Sequence, residues 1–474
     1  MNMLRLLAAL SMLFMTGCVA TNVVPSSGAQ TLAVTNVTVI DVTASTPEAA
    51  RLTDQTVLVS GGRITFVGNG RSTRVPRGAH TVDGRGRFLV PGLWDSHTHL
   101  TMFGEAALPL FVSQGVTSVR DMGGIPAKLS AWQKAVDSGE RVGPRIFHAG
   151  ALIEGAWWLD RVVGAIKKVP ELAYFSFTDV SPRVRLASST DASAAVSQIK
   201  ASGADLVKFR NLRPAEFRAV AAEAARLGML LAGHSPRGMP PGEAAEAGMA
   251  SIEHMETVTL ALGDTPEAER TRQFQRMAKA GTPITASMTT DVAYRQTPDA
   301  RAYAIIDDNR NMIDPRRRYL SPLALSAWRF GLDIKKLEGP GEDHAALHRR
   351  QIADLRLARA AGVRILIGTD ITVSLLFPGY SVHEEMAYLV NKAGFTPLEA
   401  LRGATLYAAD TMRDPNSGRI STGQRADMVL LSADPLARIE ATSQIEAVIL
   451  NGRHLSRSSL AALQEESAAL AARN

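Results

Sequence analysis

Asp95-Ser96-His97-Thr98-His99 sets two imidazoles two residues apart. Alternate side chains of an extended strand share a face, so His97 and His99 point the same way. Two imidazoles on one face suit zinc or a similar divalent ion. More residues of the same chemistry stand at the ends of apolar runs. Lys208 lies in ADLVKFR, His234 in MLLAGHS, His254 in ASIEHM and Asp370 closes RILIGTD. A lysine is costly to bury while charged, so one set among apolar neighbours points to a function. Lys208, His234 and His254 are 26 and 20 residues apart (208 to 234, 234 to 254), the spacing of single strand–helix units.

Such a set needs a scaffold that aims many strand ends at one place. Apolar runs fall at 90–99, 116–122, 145–149, 205–210, 229–235, 250–255, 283–288 and 364–370. Most precede Ala-rich helical patterns, as at 191–202, 214–227, 241–248 and 346–361. Eight strands with crossover helices predict an α/β fold, a (β/α)8 TIM barrel over 91–412, with its active site at the C-terminal rim. Residues 32–90 and 413–455 instead alternate in short strands, with Gly and Asp-Gly turns at the N-terminal end. They predict a small β-sandwich built from both ends of the chain, followed by a C-terminal helix over 456–474. Insertions at 150–188 and 289–345 carry Trp157, Trp158, Phe177 and Trp328 and follow barrel strands, where the aromatics read either as packing of long loops or as a lid over the site.

The 474 residues carry a net charge of +6, are 46% hydrophobic and include one Cys. A single Cys excludes an intrachain disulfide framework and any Cys-rich metal site. No apolar run reaches the roughly 18 residues of a membrane-spanning helix. Basic residues are scattered, which argues against a nucleic-acid partner. Residues 1–17 read as a targeting segment, with Arg5 ahead of a short apolar stretch. Met15-Thr16-Gly17-Cys18 resembles the bacterial lipobox, in which the Cys is lipidated and becomes the mature N-terminus. That predicts a lipoprotein anchored to a membrane through Cys18, with 18–31 as a flexible tether. Val19 in place of Asp implies, by the same resemblance, the outer membrane of the bacterial envelope, facing the periplasm.

LVPGLWDSHTHL, GVTSVRDMGG, SIEHM, IGTD, PLEALRGAT, GQRADMVLL and VILNGR together resemble the amidohydrolase superfamily, in its imidazolonepropionase-like and prolidase-like branches. The resemblance covers most of residues 32–455. In the binuclear branch it implies a carbamate on Lys208, made from carbon dioxide, that joins two divalent ions. His97, His99 and Asp370 would hold one ion, and His234 and His254 the other; zinc is the first choice. It implies hydrolysis by hydroxide bridging the ions, with Asp370 moving the proton and His234 or His254 orienting the substrate oxygen. Arg210, two residues after Lys208, shares its face and suits a substrate carboxylate. The predicted substrate is therefore a small molecule, a dipeptide or N-acyl amino acid. Arg237, His148 and Trp157 are further substrate-binding candidates. A lactonase or phosphotriesterase-like hydrolase, a mononuclear deaminase or imidazolonepropionase-type enzyme, and a non-catalytic ligand-binding lipoprotein are the alternatives. Assembly into a homo-oligomer stays open.

Overall fold

A computed structural model describes residues 31–336 and 343–473. The targeting segment 1–17, Cys18 and the tether to residue 30 lie outside the described residues. Near the N-terminus run β1 (Leu32–Ile40), β2 (Arg51–Ser60), β3 (Arg63–Asn69), β4 (His80–Asp83) and β5 (Phe88–Pro91). The middle of the chain supplies β6 (Leu93–Thr98), β7 (Val116–Asp121), β8 (Arg145–His148), β9 (Leu152–Gly155) and β10 (Arg183–Leu186). It continues with β11 (Leu206–Arg210), β12 (Leu230–Gly233), β13 (Ser251–Glu253), β14 (Ile284–Thr285) and β15 (Ile365–Leu366). Then come β16 (Met428–Leu431), β17 (Ile445–Leu450) and β18 (Arg453–Ser456).

Both chain ends meet in one eight-stranded sheet, ordered β18-β17-β16-β5-β1-β2-β3 with β4 on β1. The turn and start of β3 also meet the segment just before β16, because Ile64 N donates to Gln424 O and Ala426 N to Gly62 O, each at 2.9 Å. The strands expected to build the small sandwich thus belong to one hydrogen-bonded sheet that encloses its own core. Val34, Val57 and Ile64 pack with Met428 and Ile449 in a core of their own. Alternation explains this core, since every second residue must leave water on the same face.

The parallel strands form two ladders, β6-β7-β8 and β10-β9-β11-β12-β13-β14-β15. The continuous closed barrel expected from the sequence is therefore corrected to two arcs. The physical reason lies in the first insertion. Its strand β9 pairs with β11 at Phe209 and Arg210, on the edge that β8 would otherwise fill. β8 is left with a bond from Asp205 N to His148 O at 2.8 Å. At the other seam, Ser96 N donates to Ile367 O at 2.8 Å and Asp370 N to His97 O at 2.7 Å. Gly368 allows that approach, because a Cβ there would lie 2.8 Å from His97 Cβ.

β11 shows how the strands aim side chains. Val207 and Phe209 face the surrounding helices, and Phe209 packs on Phe217 with ring centroids 5.3 Å apart. Lys208 and Arg210 face the opposite way, into a cavity. Phe217 belongs to the helix Pro214–Arg226, which opens with Pro at its first turn, and Glu216 accepts from Arg213 N at 2.8 Å. Its apolar stripe of Phe217, Val220, Ala221 and Ala224 is buried, so the helix clamps β11 in place.

The first insertion is more structured than a loop, forming β9, the helix Ala156–Ile166 and β10. It meets the second insertion through Phe175 and Phe330, whose ring centroids lie 4.9 Å apart. Met102 packs against this aromatic cluster and also lines the cavity. The C-terminal helix Arg457–Arg473 docks beside the helix Ala107–Ser113, where Ser467 Oγ donates to Ala106 O at 2.7 Å. Among the described residues, no helix is long and apolar enough to cross a membrane.

Candidate active site

Strand ends β6, β11, β12, β13 and β15 converge on a cavity of about 200 Å³. His97, His99, Lys208, His234, His254 and Asp370 all line it. The Asp370 carboxylate is the common neighbour. His99 Nε2 lies 3.4 Å from Oδ1, His97 Nε2 3.9 Å from Oδ1 and His254 Nε2 3.8 Å from Oδ2. Donor atoms of His97, His254 and Asp370 fall within 4.8 Å of one another, close enough to share a metal ion. His234 stands edge-on to His254, with ring centroids 5.0 Å apart. His254 therefore sits with His97 and Asp370 as well as beside His234.

Backbone geometry sharpens the aim. His254 and Asp370 both adopt left-handed conformations, with φ of 66° and 49°. Such conformations cost energy in non-glycine residues and persist where the surroundings fix them. Here His254 N donates to Thr285 O at 2.9 Å and Asp370 N to His97 O at 2.7 Å. Buried Asp95 accepts from Thr369 N at 3.0 Å, Thr369 Oγ1 at 2.6 Å and His97 N at 3.2 Å, tying the ends of β6 and β15 together. Asp121 accepts from Leu100 N and Gly123 N and holds the turn that follows His99.

Electrostatics prepare these groups for a cation. Burial pushes His254 down to about 4 and holds His97 and His234 well below the usual imidazole value, so all are neutral at pH 7. His97 Nδ1 donates to Glu253 Oε2 at 2.9 Å, and His99 Nδ1 to Gly123 O at 2.7 Å. Each bond orients its ring and leaves Nε2 on the side that faces Asp370. Burial opposes ionisation of Asp370, but the hydrogen bond from His99 and the fields of His97 and His254 outweigh it, so the carboxyl stays well below its usual range. Lys208 Nζ is buried and has no hydrogen-bond partner among the described residues. Burial pushes its amine down to about 7.

Beneath the site lies a charged pair that the motif reading missed. Arg120 Nη2 donates to both oxygens of Glu253, at 2.8 and 2.9 Å, and Arg120 Nε donates to Ser96 O at 2.6 Å. Both residues are almost wholly buried. A buried Arg in GVTSVRDMGG signals the need for a buried partner. Alternation, however, would set Glu253 and His254 on opposite faces; the left-handed turn at His254 lets both point inward. We expect Glu253→Gln to leave Arg120 without a counter-ion, at a cost of about 3–5 kcal/mol. The loss should appear as a lower denaturation midpoint of the metal-free protein. Metal affinity, read by chelator competition, should fall about 10- to 100-fold because His97 loses its orienting acceptor. An unchanged midpoint and affinity would show that the pair is dispensable.

The Amidohydrolase family is matched over residues 88–455. The chain belongs to that family. This amidohydrolase is 23% identical over 448 residues to an ochratoxinase of Aspergillus niger, covering 84% of this chain and 81% of that protein. It is 25% identical over 382 residues to an imidazolonepropionase of Salinispora tropica, covering 80% and 86%. The structure of a Xaa-Pro dipeptidase with bound methionine superposes with a TM-score of 0.66 at 19% identity, over 90% of this chain and 100% of that one. The A. niger ochratoxinase structure gives 0.63 at 20% identity, over 91% and 96%. These solved structures share the fold of the amidohydrolase.

Three expected substrate contacts are not brought to the cavity. His148 is buried elsewhere: its backbone N donates to Asp205 Oδ2 at 2.8 Å and its Nε2 lies 3.3 Å from Ser130 Oγ. Trp157 donates its indole N–H to Asn211 O at 2.9 Å and stacks near Arg213. Arg237 lies over the Trp158 ring and reaches Asn211 Oδ1 at 3.4 Å. All three lie outside the cavity wall. Arg210 does line the cavity.

Proposed function

We propose that this amidohydrolase is a metal-dependent hydrolase of a peptide or N-acyl amide bond beside a free carboxylate. The observation that carries the reading is one constellation. Ionised Asp370 is ringed by His97, His99 and His254, and the amine of Lys208, without a hydrogen-bond partner among the described residues, lines the same cavity. Neutral imidazoles and a carboxylate are the donors zinc prefers, and a buried amine with no hydrogen-bond partner fits conversion to an anionic bridge. His97, His99 and Asp370 would hold one ion and His234 and His254 a second, with carboxylated Lys208 between them. Ions held there would polarise the scissile carbonyl and acidify the attacking water.

The chain's own residues do the rest. Asp370 accepts the proton of the attacking water and returns it to the leaving nitrogen. His234, beside His254 at the cavity wall, orients the substrate oxygen. Arg210, one step further out on β11, holds the carboxylate of the departing amino acid. Such a charged contact is worth about 1.5–3 kcal/mol, or about ten- to a hundredfold in catalytic efficiency. Wild type is therefore expected to prefer a free C-terminal acid over the matched amide by that factor, measured as kcat/KM across dipeptides and N-acyl amino acids with metal content determined on the same sample. Equal efficiency on both forms would reject carboxylate recognition and direct attention to lactones.

We also propose that the catalytic body is tethered to the outer membrane, facing the periplasm, by a lipid on Cys18. The lipobox-like Met15-Thr16-Gly17-Cys18 supports this reading. Cys18→Ser is expected to abolish acyl labelling and leave a soluble, active enzyme. Acyl label that persists in this variant would refute the anchor.

A further inference from the structure

Arg210 is not alone at the outer wall of the cavity. Arg183 lines it too, carried in by β10 from the first insertion. Strand β9 lies between β10 and β11, and its buried Glu154 faces both arginines. Glu154 Oε2 accepts from Arg183 Nε at 3.1 Å, while Oε1 accepts from Asn211 Nδ2 at 2.8 Å and lies 3.9 Å from Arg210 Nε. Arg183 Nη1 is fixed by Ser181, donating to its carbonyl and, at 2.6 Å, to its Oγ. Arg183 Nη2 and both terminal nitrogens of Arg210 make no hydrogen bond to any described residue.

We infer that Arg183 and Arg210 form one two-guanidinium seat for a single substrate carboxylate, with Glu154 as the residue that positions both. The inference rests on the hydrolase reading above and deepens it. Two cations set against one carboxylate leave one positive charge for the substrate to neutralise. Burial and the neighbouring charge of Arg210 bring Arg183 down to about 10, so an anion between them relieves a repulsion already present. Glu256, also on the cavity wall, is engaged by Arg295 Nη2 at 2.6 Å, so neither group is left over for the substrate. The seat therefore selects leaving groups with one carboxylate. Amino acids with neutral side chains fit it, and a second carboxylate on an acidic side chain meets no free cation among these groups.

The test uses full-length, metal-loaded enzyme and the best-cleaved dipeptide or N-acyl amino acid, its C-terminal amide, and an analogue whose leaving residue is aspartate. For Arg183→Met and Arg210→Met, the ratio of kcat/KM for the free acid to kcat/KM for the amide should fall about ten- to a hundredfold. Arg183→Lys should fall between, because it keeps the charge and loses the fork. Glu154→Gln should raise KM for the acid alone. Wild type should cleave the aspartate analogue less efficiently than the neutral one. An Arg183→Met enzyme with wild-type acid preference, beside an Arg210→Met enzyme that has lost it, overturns the two-armed seat and leaves the Arg210 reading standing. A wild type indifferent to acid or amide overturns the carboxylate reading itself. If Arg183→Met does not fold, a crystal structure of wild type with the amino-acid product decides. A carboxylate within hydrogen-bond distance of both guanidinium groups supports the seat, and one touching Arg210 alone overturns it.

Discussion

Asp370→Asn is expected to fold normally and to lose on the order of 10²- to 10⁴-fold in kcat. The substitution keeps the shape of the side chain. It also keeps the left-handed backbone at this position, with φ of 49°, which Asn tolerates as readily as Asp. The amide oxygen can still accept from Thr372 Oγ1, now 3.1 Å from Oδ1. What disappears is the acceptor for the water's proton and the negative charge that faces His97, His99 and His254. The comparison needs wild type and variant at equal metal content, so that lost turnover is separated from lost ions. A variant that turns over within about tenfold of wild type would move the proton-transfer role away from Asp370 and leave it at most a ligand.

Lys208→Ala is expected to lose most activity, and short carboxylic acids added to the assay should restore part of it. The reasoning starts from the amine. At a pKa of about 7 a large fraction is neutral and nucleophilic at physiological pH. Its nitrogen can attack carbon dioxide, forming an N–C bond and releasing a proton, and the product is an anion where a cation was costly. An added carboxylic acid would place two oxygens in the space the side chain vacates. Labelled carbon dioxide should give a carbamate carbon signal in metal-loaded wild type and none in the variant. Unmodified Lys208 in a metal-replete, fully active protein would sink the bridge.

The same variant carries a signature in stability. In the metal-free wild type the unfolded chain holds the Lys208 proton up to pH 10.5, whereas the folded protein releases it near 7. Between those values the unfolded state binds more protons, so stability rises with pH across that window. Lys208→Ala should lack this component of the slope, seen in denaturation midpoints from pH 7 to 10, and should be no less stable than wild type at pH 7.

The strand-end chemistry was legible in the sequence because it depends on local rules. Apolar runs ended in His97, Lys208, His234, His254 and Asp370, and the period of two put Lys208 and Arg210 on one face. The alternating segments at both chain ends likewise announced strands that could not bury a face alone. Tertiary structure decided what those rules do not reach. The conformation at His254 turns its imidazole to the inward face that Glu253 shares with Arg120, against the alternation. The first insertion, read from its aromatics as loop packing or a lid, contributes β9 and β10, takes part of the β11 edge from β8 and delivers Arg183. His148 stands at a strand end like the others, yet Asp205 and Ser130 hold it away from the cavity. Trp157 is pinned by the carbonyl of Asn211, a residue 54 positions further along the chain. Periodicity fixes the face a side chain takes within its own strand. Which distant group meets it there depends on how strands of different length and edge compete for hydrogen bonds, and that competition is settled only when the whole chain has packed.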